Sequence, residues 1–546
     1  MPSLTTMPER HVVIDRREGH YLCFPDIAHS GDGALLCVYN EFDKHVGTRR
    51  RLMLKRSEDG GRTWDAPRML CAQESHCPRI TRLSDGMLII TDDAITGLYF
   101  STDQGRTWAP QQNAGLAHGL IDHVLEFDTD VLFTTGHLHR GNRPQPKIRQ
   151  APTEQMGYLS PNRGRYWNPL SIIANEKCLV LCEASVIRLP GKTGGEKEPI
   201  RLLALMRENS SVGEPMYYCV SEDNGVTWSQ PMPTPLVGHR PSLGWTQSGK
   251  LLVTYRDVGP APGTKAWLGT LEELCSDFAV HGLHPTPGNP RWTPEGLLTT
   301  CSGGLDTAVR YGLRPITDPE FATASLEVEV HVREADQHGC GLYLGGIWWK
   351  LYPDGLAPRP ITASTDETTP RVPYALGIPH TIRVDYVPGQ CSLFVDGEHK
   401  GDFPAGRTNV NSRPILVGVA DRLEDNRCDV LWRRMHLATH EPRLGRDYTW
   451  SWDHANGQIP DAWINAHVLE LQNDRQAHLA DFGYSGWVEL TPKKRISRRN
   501  ARGSRIAKNN QFLCVYHHGD ASAPGYRRGY TAHVAGTWFS EADFKR

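Results

Sequence analysis

The 546-residue chain reads as an all-β protein, a six-bladed β-propeller carrying an inserted β-sandwich. Three observations lead there. Glycine (52) and proline (39) are abundant, tryptophan (15) outnumbers methionine (10), and apolar stripes with a 3.6-residue period are scarce, which is the balance of short strands and tight turns. An eight-residue pattern, Ser-x-Asp-x-Gly-x-x-Trp, recurs as SEDGGRTW from Ser57, STDQGRTW from Ser101 and SEDNGVTW from Ser221, with a weaker SPNRGRYW from Ser160. Its starts lie 44, 59 and 61 residues apart, near the ~40–50-residue period of a propeller blade with loop insertions. Finally, six segments share one opening: a polar residue, a short apolar strand, a tight turn and a second strand ending in charged residues or histidines.

Each element has a physical reason. In the octapeptide, the Asp or Asn closes a turn on its own backbone, the Gly permits positive φ, and the Trp packs into the adjoining sheet. The six openings fall at Cys23, Cys77, Ile121, Cys182, Gly238 and Gly483. In a propeller the first strand of each blade lines the axis, so strand starts and second-strand ends share one face. That face would collect Asp26, Arg79, His123, Glu183, Arg240 and Tyr484 from the starts. The second-strand ends would add Glu41, Asp43, Asp92, Asp93, His137, His139, Arg207, Arg256, Asp257, His517 and His518. More than 240 residues separate the fifth and sixth openings, too many for one blade. The expected division is a propeller over 1–281, a sandwich over 282–439 and the rest of the propeller over 440–546. The segment TAHVAGTWF should pair with HVVI near the start and close the ring without an exposed edge.

Composition excludes several classes. Hydrophobic residues (39%) and charged residues (22%) suit a globular chain, and no apolar run approaches ~18 residues, so neither disorder nor a membrane helix is expected. A net charge of −2 points to no partner. The 13 cysteines lack metal-type pairing, and the first twenty residues lack a signal-type apolar stretch, so reduced thiols and a cytoplasmic location are expected. No metal or cofactor is expected, because the pair His137 and His139 has no third ligand. The segment from Thr491 to Gln511 carries eight Lys and Arg without interleaved aromatics, which reads as a solvated or subunit-contacting loop rather than a nucleic-acid site. A homo-oligomer fits that reading.

The octapeptide resembles the Asp-box of the sialidase superfamily of β-propellers, where it joins the third and fourth strands of a blade. The segment HTIRVDYVPGQCSLFVDGEHKG similarly resembles the hairpin of laminin-G or concanavalin-like lectin sandwiches, a jelly-roll type of fold. The first resemblance implies an exo-acting glycoside hydrolase releasing a terminal acidic sugar with retention. In that family a tyrosine is the nucleophile, because a carboxylate would be repelled by the substrate's own carboxylate. GYSGWVEL resembles the family's nucleophile strand and implies Tyr484. CEASVIRL followed by LLALMRE implies Glu183 as its base and Arg207 as a clamp for the substrate carboxylate, with Arg240 as a second clamp. Asp43 is the candidate acid, with Glu41 or His45 as alternatives. Asp26, Arg79, His123 and Arg256 are further candidates for substrate binding. The family's first blade reads Arg-Ile-Pro, whereas this chain has Cys23-Phe24-Pro25, which puts sialic acid in doubt. Two alternatives therefore stand: a propeller lyase or non-sialic glycosidase using His123, His137, His139, Tyr484 and Arg79, and a glycan-binding propeller without chemistry.

Overall fold

The computed structural model describes residues 1–45, 47–93, 97–111, 114–139, 153–176, 179–191, 198–209, 215–258, 262–275, 280–281, 291–302, 309–311, 316, 318–360, 371–406, 415–419, 426–442, 446–457, 466–474, 476–490 and 511–545. Of the features singled out above, the basic segment at 491–510 and the His139 side chain lie outside the described residues.

Strands build nearly everything, in antiparallel ladders of four. Ladder one is Tyr21–His29, Leu35–Phe42, Arg50–Ser57 and Arg68–Cys71, and ladder two is Arg79–Arg82, Leu88–Asp92, Gly97–Ser101 and Ala109–Gln111. Ladder three is Leu125–Glu126, Leu132–His139, Thr153–Ser160 and Asn168–Ala174. A seven-stranded sheet then supplies two ladders at once, because Met232–Trp245 is a single strand with two partners. Its first half pairs with Pro215–Ser221 and completes ladder four with Leu181–Leu189 and Arg201–Glu208. Its second half, from Gly238, pairs with Leu251–Asp257 and begins ladder five, which continues through Gly263–Gly269 to Val468–Asn473. Ladder six is Ser485–Leu490, Gln511–His518, His533–Ser540 and, from the other end of the chain, His11–Asp15.

Apolar cores join each ladder to the next and the last to the first. Val38 packs with Ile80, Ile89 with Leu132, Phe133 with Val186, Leu203 with Leu243, Leu252 with Phe512, and Val515 with Ile27, each within one buried cluster. The sheets thus form a ring, a β-propeller, and the antiparallel pairing of His11–Asp15 with His533–Ser540 removes the edge that an open ring would expose.

The octapeptide turns explain their own recurrence. All four sit between the third and fourth strand of ladders one to four. In the first, Asp59 Oδ1 accepts from the Arg62 and Thr63 amides at 2.9 Å, Ser57 Oγ accepts from Gly61 N at 2.9 Å, and Trp64 Nε1 donates to Gly61 O at 2.9 Å. Gly61 has φ +91°, a conformation that side-chain-bearing residues rarely adopt. The turn at Ser221 repeats these contacts, and both keep the Trp ring folded over the Gly carbonyl.

Between the third and fourth strands of ladder five, the strands from Val280–His281 to Arg446–Asp453 build two sheets of their own. One has six strands, with Cys340–Leu344 and Ile347–Tyr352 at its heart; the other has eight, centred on Thr323–Ala335 and Arg427–Glu441. Thr323–Ala335 alternates buried and half-exposed residues, so Leu326, Val328 and Val330 face one core shared with Leu342, Trp349 and Trp432. Pairing in the larger sheet runs past Thr439, because Arg446–Asp453 lies along Arg427–Glu441 from Glu441 to Arg434. The VDG segment is a hairpin turn: Asp396 and Gly397 take φ +53° and +83° between Gln390–Val395 and Glu398–Pro404, as a two-residue primed turn requires. Among the described residues, no helix is long and apolar enough to cross a membrane.

Candidate active site

One backbone device recurs where the inner strands begin. Phe24 (φ +54°), Cys77 (+50°), Leu120 (+48°), Glu183 (+50°) and Arg240 (+47°) all sit in the left-handed region, and Gly483 (+85°) occupies the same place in ladder six. Positive φ at non-glycine residues costs on the order of 1–3 kcal/mol each and clusters where structure is committed to function. The strand register slips at three of these kinks, between Cys23 and Asp26, Cys182 and Ser185, and His239 and Ser242. The extra residue of each bulge re-aims a side chain away from the sheet.

Around these kinks the chain gathers Tyr484, Glu183 and Arg207. The Tyr484 hydroxyl donates to Glu183 Oε1 at 2.6 Å. Arg207 Nη1 donates to the same hydroxyl at 2.7 Å and to both Glu183 oxygens at 3.0 Å, while its Nη2 donates to Asn209 at 2.6 Å. Tyr484 and Glu183 are each only 6% exposed. Two more arginines attend the phenol ring, with the Arg256 guanidinium carbon 4.3 Å and that of Arg240 5.7 Å from its centroid. Arg256 is held by Leu479 O at 2.6 Å and His239 Nδ1 at 2.8 Å, and Arg240 by Cys77 O at 3.3 Å. Among the described residues, the buried Arg240 Nη1 and the Nε atoms of Arg207 and Arg256 find no hydrogen-bond partner.

Burial alone would raise the Glu183 carboxyl, but the charges of Arg207 and Arg240 and the hydrogen bonds from Tyr484 and Arg207 outweigh it and hold the group at about 2. The Tyr484 phenol moves upward, because burial and the Glu183 charge dominate over Arg207 and Arg256. At neutral pH the pair is therefore a carboxylate accepting from a neutral phenol.

The remaining expected residues divide. Arg79, Asp26 and His123 form a second cluster: Asp26 accepts from His123 Nε2 at 2.7 Å, from Ile80 N at 2.8 Å and from Arg79 Nη1 at 3.4 Å, and Arg79 also donates to Ser485 O at 2.9 Å. Asp26 is 1% exposed and stitches ladder one to ladder two through the Ile80 amide. Asp122 does the same from ladder three, accepting from Val186 N at 2.9 Å, and Ser185 from ladder four, accepting from Leu243 N at 3.1 Å. His123 is engaged on both nitrogens, by Asp26 and by Asp122 at 3.4 Å. Asp43 differs from its expected place as well. Its Oδ1 accepts from Arg49 N at 3.2 Å within its own loop, and no described contact brings it to Tyr484, Glu183 or Arg207. Glu41 is buried in an ion cluster with Arg17 and Arg51 at 2.7 and 2.8 Å. Asp257 pairs with Lys265 at 2.7 Å, and His518 with Asp474 at 3.0 Å. His137 accepts from Glu183 N at 3.3 Å and so buttresses the kink that aims Glu183.

Sequence reasoning gave no role at the site to three residues that shape it, Phe24, His76 and Gly483. Phe24 touches the rings of Tyr484 (5.3 Å), His76 (5.2 Å) and His517 (5.4 Å) and fills the ladder-one position. His76 and Asp93 pair at 2.7 Å. Gly483 is required because a Cβ there would lie 2.8 Å from Arg256 Cβ. The signal was present in the x-Pro pairs Phe24-Pro25, Cys77-Pro78 and Arg240-Pro241, which mark three of the kinks.

The fold and these turns define an all-β propeller of Asp-box type. Residues 99–110 match the BNR/Asp-box repeat family model, which covers the second octapeptide. No curated protein matches the chain. Among solved structures it is similar to a protein of unknown function from Dyadobacter fermentans, with 17% identity, 49% of this chain and 83% of that one covered, and a TM-score of 0.41. It is similar to the Trypanosoma rangeli sialidase in complex with sialic acid (13% identity, 78% and 83% covered, TM-score 0.34). A third is the Penicillium chrysogenum alpha-L-arabinanase complexed with arabinobiose (16% identity, 48% and 82% covered, TM-score 0.34).

Proposed function

We propose that this protein is an exo-acting glycoside hydrolase of the sialidase type, which releases a terminal acidic sugar with retention of configuration. The observation that carries the reading is the Tyr484 hydroxyl set 2.6 Å from the Glu183 carboxylate with Arg207 beside both. A phenol becomes a nucleophile when a positioned base takes its proton as it attacks. Glu183, ionised down to about pH 2, is that base, and Arg207 keeps it ionised. Attack by Tyr484 oxygen on the anomeric carbon forms a glycosyl–tyrosine bond, and water then displaces it from the opposite face, the one the leaving group vacated, so two inversions give retention. The guanidinium charges of Arg240, Arg207 and Arg256 hold the anionic group of the sugar.

The first ladder favours a second version of the reading within the same reaction class, a terminal sugar other than sialic acid, because Cys23 stands where the resemblance implies an arginine and the neighbouring Phe24 lays a phenyl group against Tyr484. The strands from Val280–His281 to Arg446–Asp453 we propose to be an inserted lectin-like unit that binds carbohydrate. The test is a screen of aryl glycosides of N-acetylneuraminic acid, glucuronic acid and arabinose, with the released anomer read by proton NMR. Tyr484→Phe leaves the ring beneath Arg256 and should lower turnover of the accepted substrate by at least ~10³-fold. Unimpaired turnover, or inversion of the anomer, would remove the nucleophile assignment.

A further inference from the structure

Retention through Tyr484 needs a second group that gives a proton to the departing oxygen, and Asp43 is turned onto its own loop. His123 is bonded to carboxylates through both nitrogens. His239 and His137 accept at Nδ1 from Arg256 and from the Glu183 amide. His45 and His517 are held neutral, at about 4 and about 3, by burial first and by the Arg256 charge. His76 differs. Its Nδ1 is fixed by Asp93 Oδ2 at 2.7 Å and its backbone amide by Asp92 Oδ1 at 3.0 Å, while Asp93 is itself anchored by the Leu120 amide. The Nε2 of His76 meets, among the described residues, only the weak partner Cys77 Sγ at 3.7 Å, and the side chain is 28% exposed. Its ring stacks on Phe42 at 6.1 Å and touches Phe24 at 5.2 Å, and Phe24 touches Tyr484 at 5.3 Å. Imidazole and phenol thus both contact one phenyl group.

We propose that His76, aligned by Asp93, is the acid and base partner of Tyr484. The proposal rests on the hydrolase reading above and supplies its missing group. In the first step the bond between the anomeric carbon and the leaving oxygen breaks. The Nε2 proton passes to that oxygen, the tyrosine oxygen bonds to carbon, and the phenol proton goes to Glu183. In the second step neutral His76 takes a proton from water as the water oxygen attacks the anomeric carbon, and Tyr484 leaves and regains its proton from Glu183. The titratable groups facing the imidazole are Asp92 and Asp93 from ladder two, Cys77 beside it, and His45 from the neighbouring loop. Burial opposes its charged form, but Cys77 and Asp93 prevail and bring it to about 10, so it is cationic across neutral pH.

The experiment compares His76→Gln, Asp93→Asn, Asp43→Asn and Tyr484→Phe on two glycosides of the sugar that the screen identifies, one with a 2,4-dinitrophenyl and one with a methyl leaving group. Dinitrophenolate departs without a proton; methanol does not. For His76→Gln, kcat/KM on the methyl glycoside should fall ~10²–10⁴-fold and on the dinitrophenyl glycoside less than ~10-fold. Asp93→Asn keeps the imidazole and should move the alkaline limb of the pH–rate profile downward with KM little changed. Tyr484→Phe should lose both substrates together. Equal losses or no loss in His76→Gln, or the leaving-group signature in Asp43→Asn, would overturn the assignment while leaving the tyrosine reading intact. A wild-type enzyme inert on every sugar in the screen overturns both.

Discussion

Glu183→Gln keeps the outline of the side chain, removes its charge and leaves one oxygen to accept from Tyr484 or Arg207. The native carboxyl is held at about 2 against an ordinary value of 4.5, and that depression corresponds to about 3 kcal/mol of folding free energy at pH 7. The sign follows from the direction of the shift: a carboxyl whose folded pKa lies below its unfolded one stabilises above ~4.5, and the contribution disappears as pH falls through about 2. Less than half of it should survive at pH 3. The glutamine protein lacks this contribution at every pH. Urea unfolding of both proteins at pH 7, 5 and 3 should therefore show a stability gap of about 3 kcal/mol at pH 7 that narrows to roughly half or less at pH 3. Turnover measured beside it should fall ~10²–10⁴-fold through loss of the base. A gap that stays constant with pH would mean that Glu183 is not held ionised by Arg207 and Arg240. A variant with wild-type turnover would mean that the phenol finds its base elsewhere.

Two further outcomes are expected. Gly483→Ala places a methyl group 2.8 Å from Arg256 Cβ at a residue with φ +85°, so it should cost on the order of 1–3 kcal/mol in stability and displace Arg256 from the Tyr484 ring, read as a rise in KM. His123 is raised to about 9, where the charges of Asp26 and Asp122 outweigh its burial, so its contribution is complete below pH ~6.5 and lost as pH rises through about 9. In Asp26→Asn its NMR titration should move toward ordinary values; an unmoved titration would show that Asp26 is not its partner.

Much of the fold was legible because its signals are local. An Asp-box closes hydrogen bonds within eight residues, so Ser57, Asp59, Gly61 and Trp64 report their turn wherever the chain goes. The pairing of His11–Asp15 with His533–Ser540 was legible for a different reason, since a ring that lacks one strand leaves an edge to cover. Tyr484, Glu183 and Arg207 were legible through the strands that resemble a family. The kinks were legible only in part, because positive φ falls on Phe24, Cys77, Leu120, Glu183 and Arg240 with no common residue type, and a following proline marks just three of them. Nor could sequence separate Asp26 from a ligand: a carboxylate at a strand start satisfies either a substrate or the amide of the next strand, and only the neighbouring ladder decides. The place of Asp43 was illegible for the same reason, since loop geometry returned its oxygen to the Arg49 amide.

The strand Met232–Trp245 has a mechanical consequence. Ladders four and five are one hydrogen-bonded fabric, joined through the middle of a continuous strand rather than by a loop. Glu183 and Arg207 stand on one side of that seam, Arg240 and Arg256 on the other. Parting them would require tearing backbone bonds, so the ionic half of the pocket behaves as a single stiff plate whose amides should exchange with deuterium at a shared, slow rate. Any adjustment of the site then falls to the opposite half, where Phe24, Cys77 and Leu120 lie in or precede strands of three separate sheets.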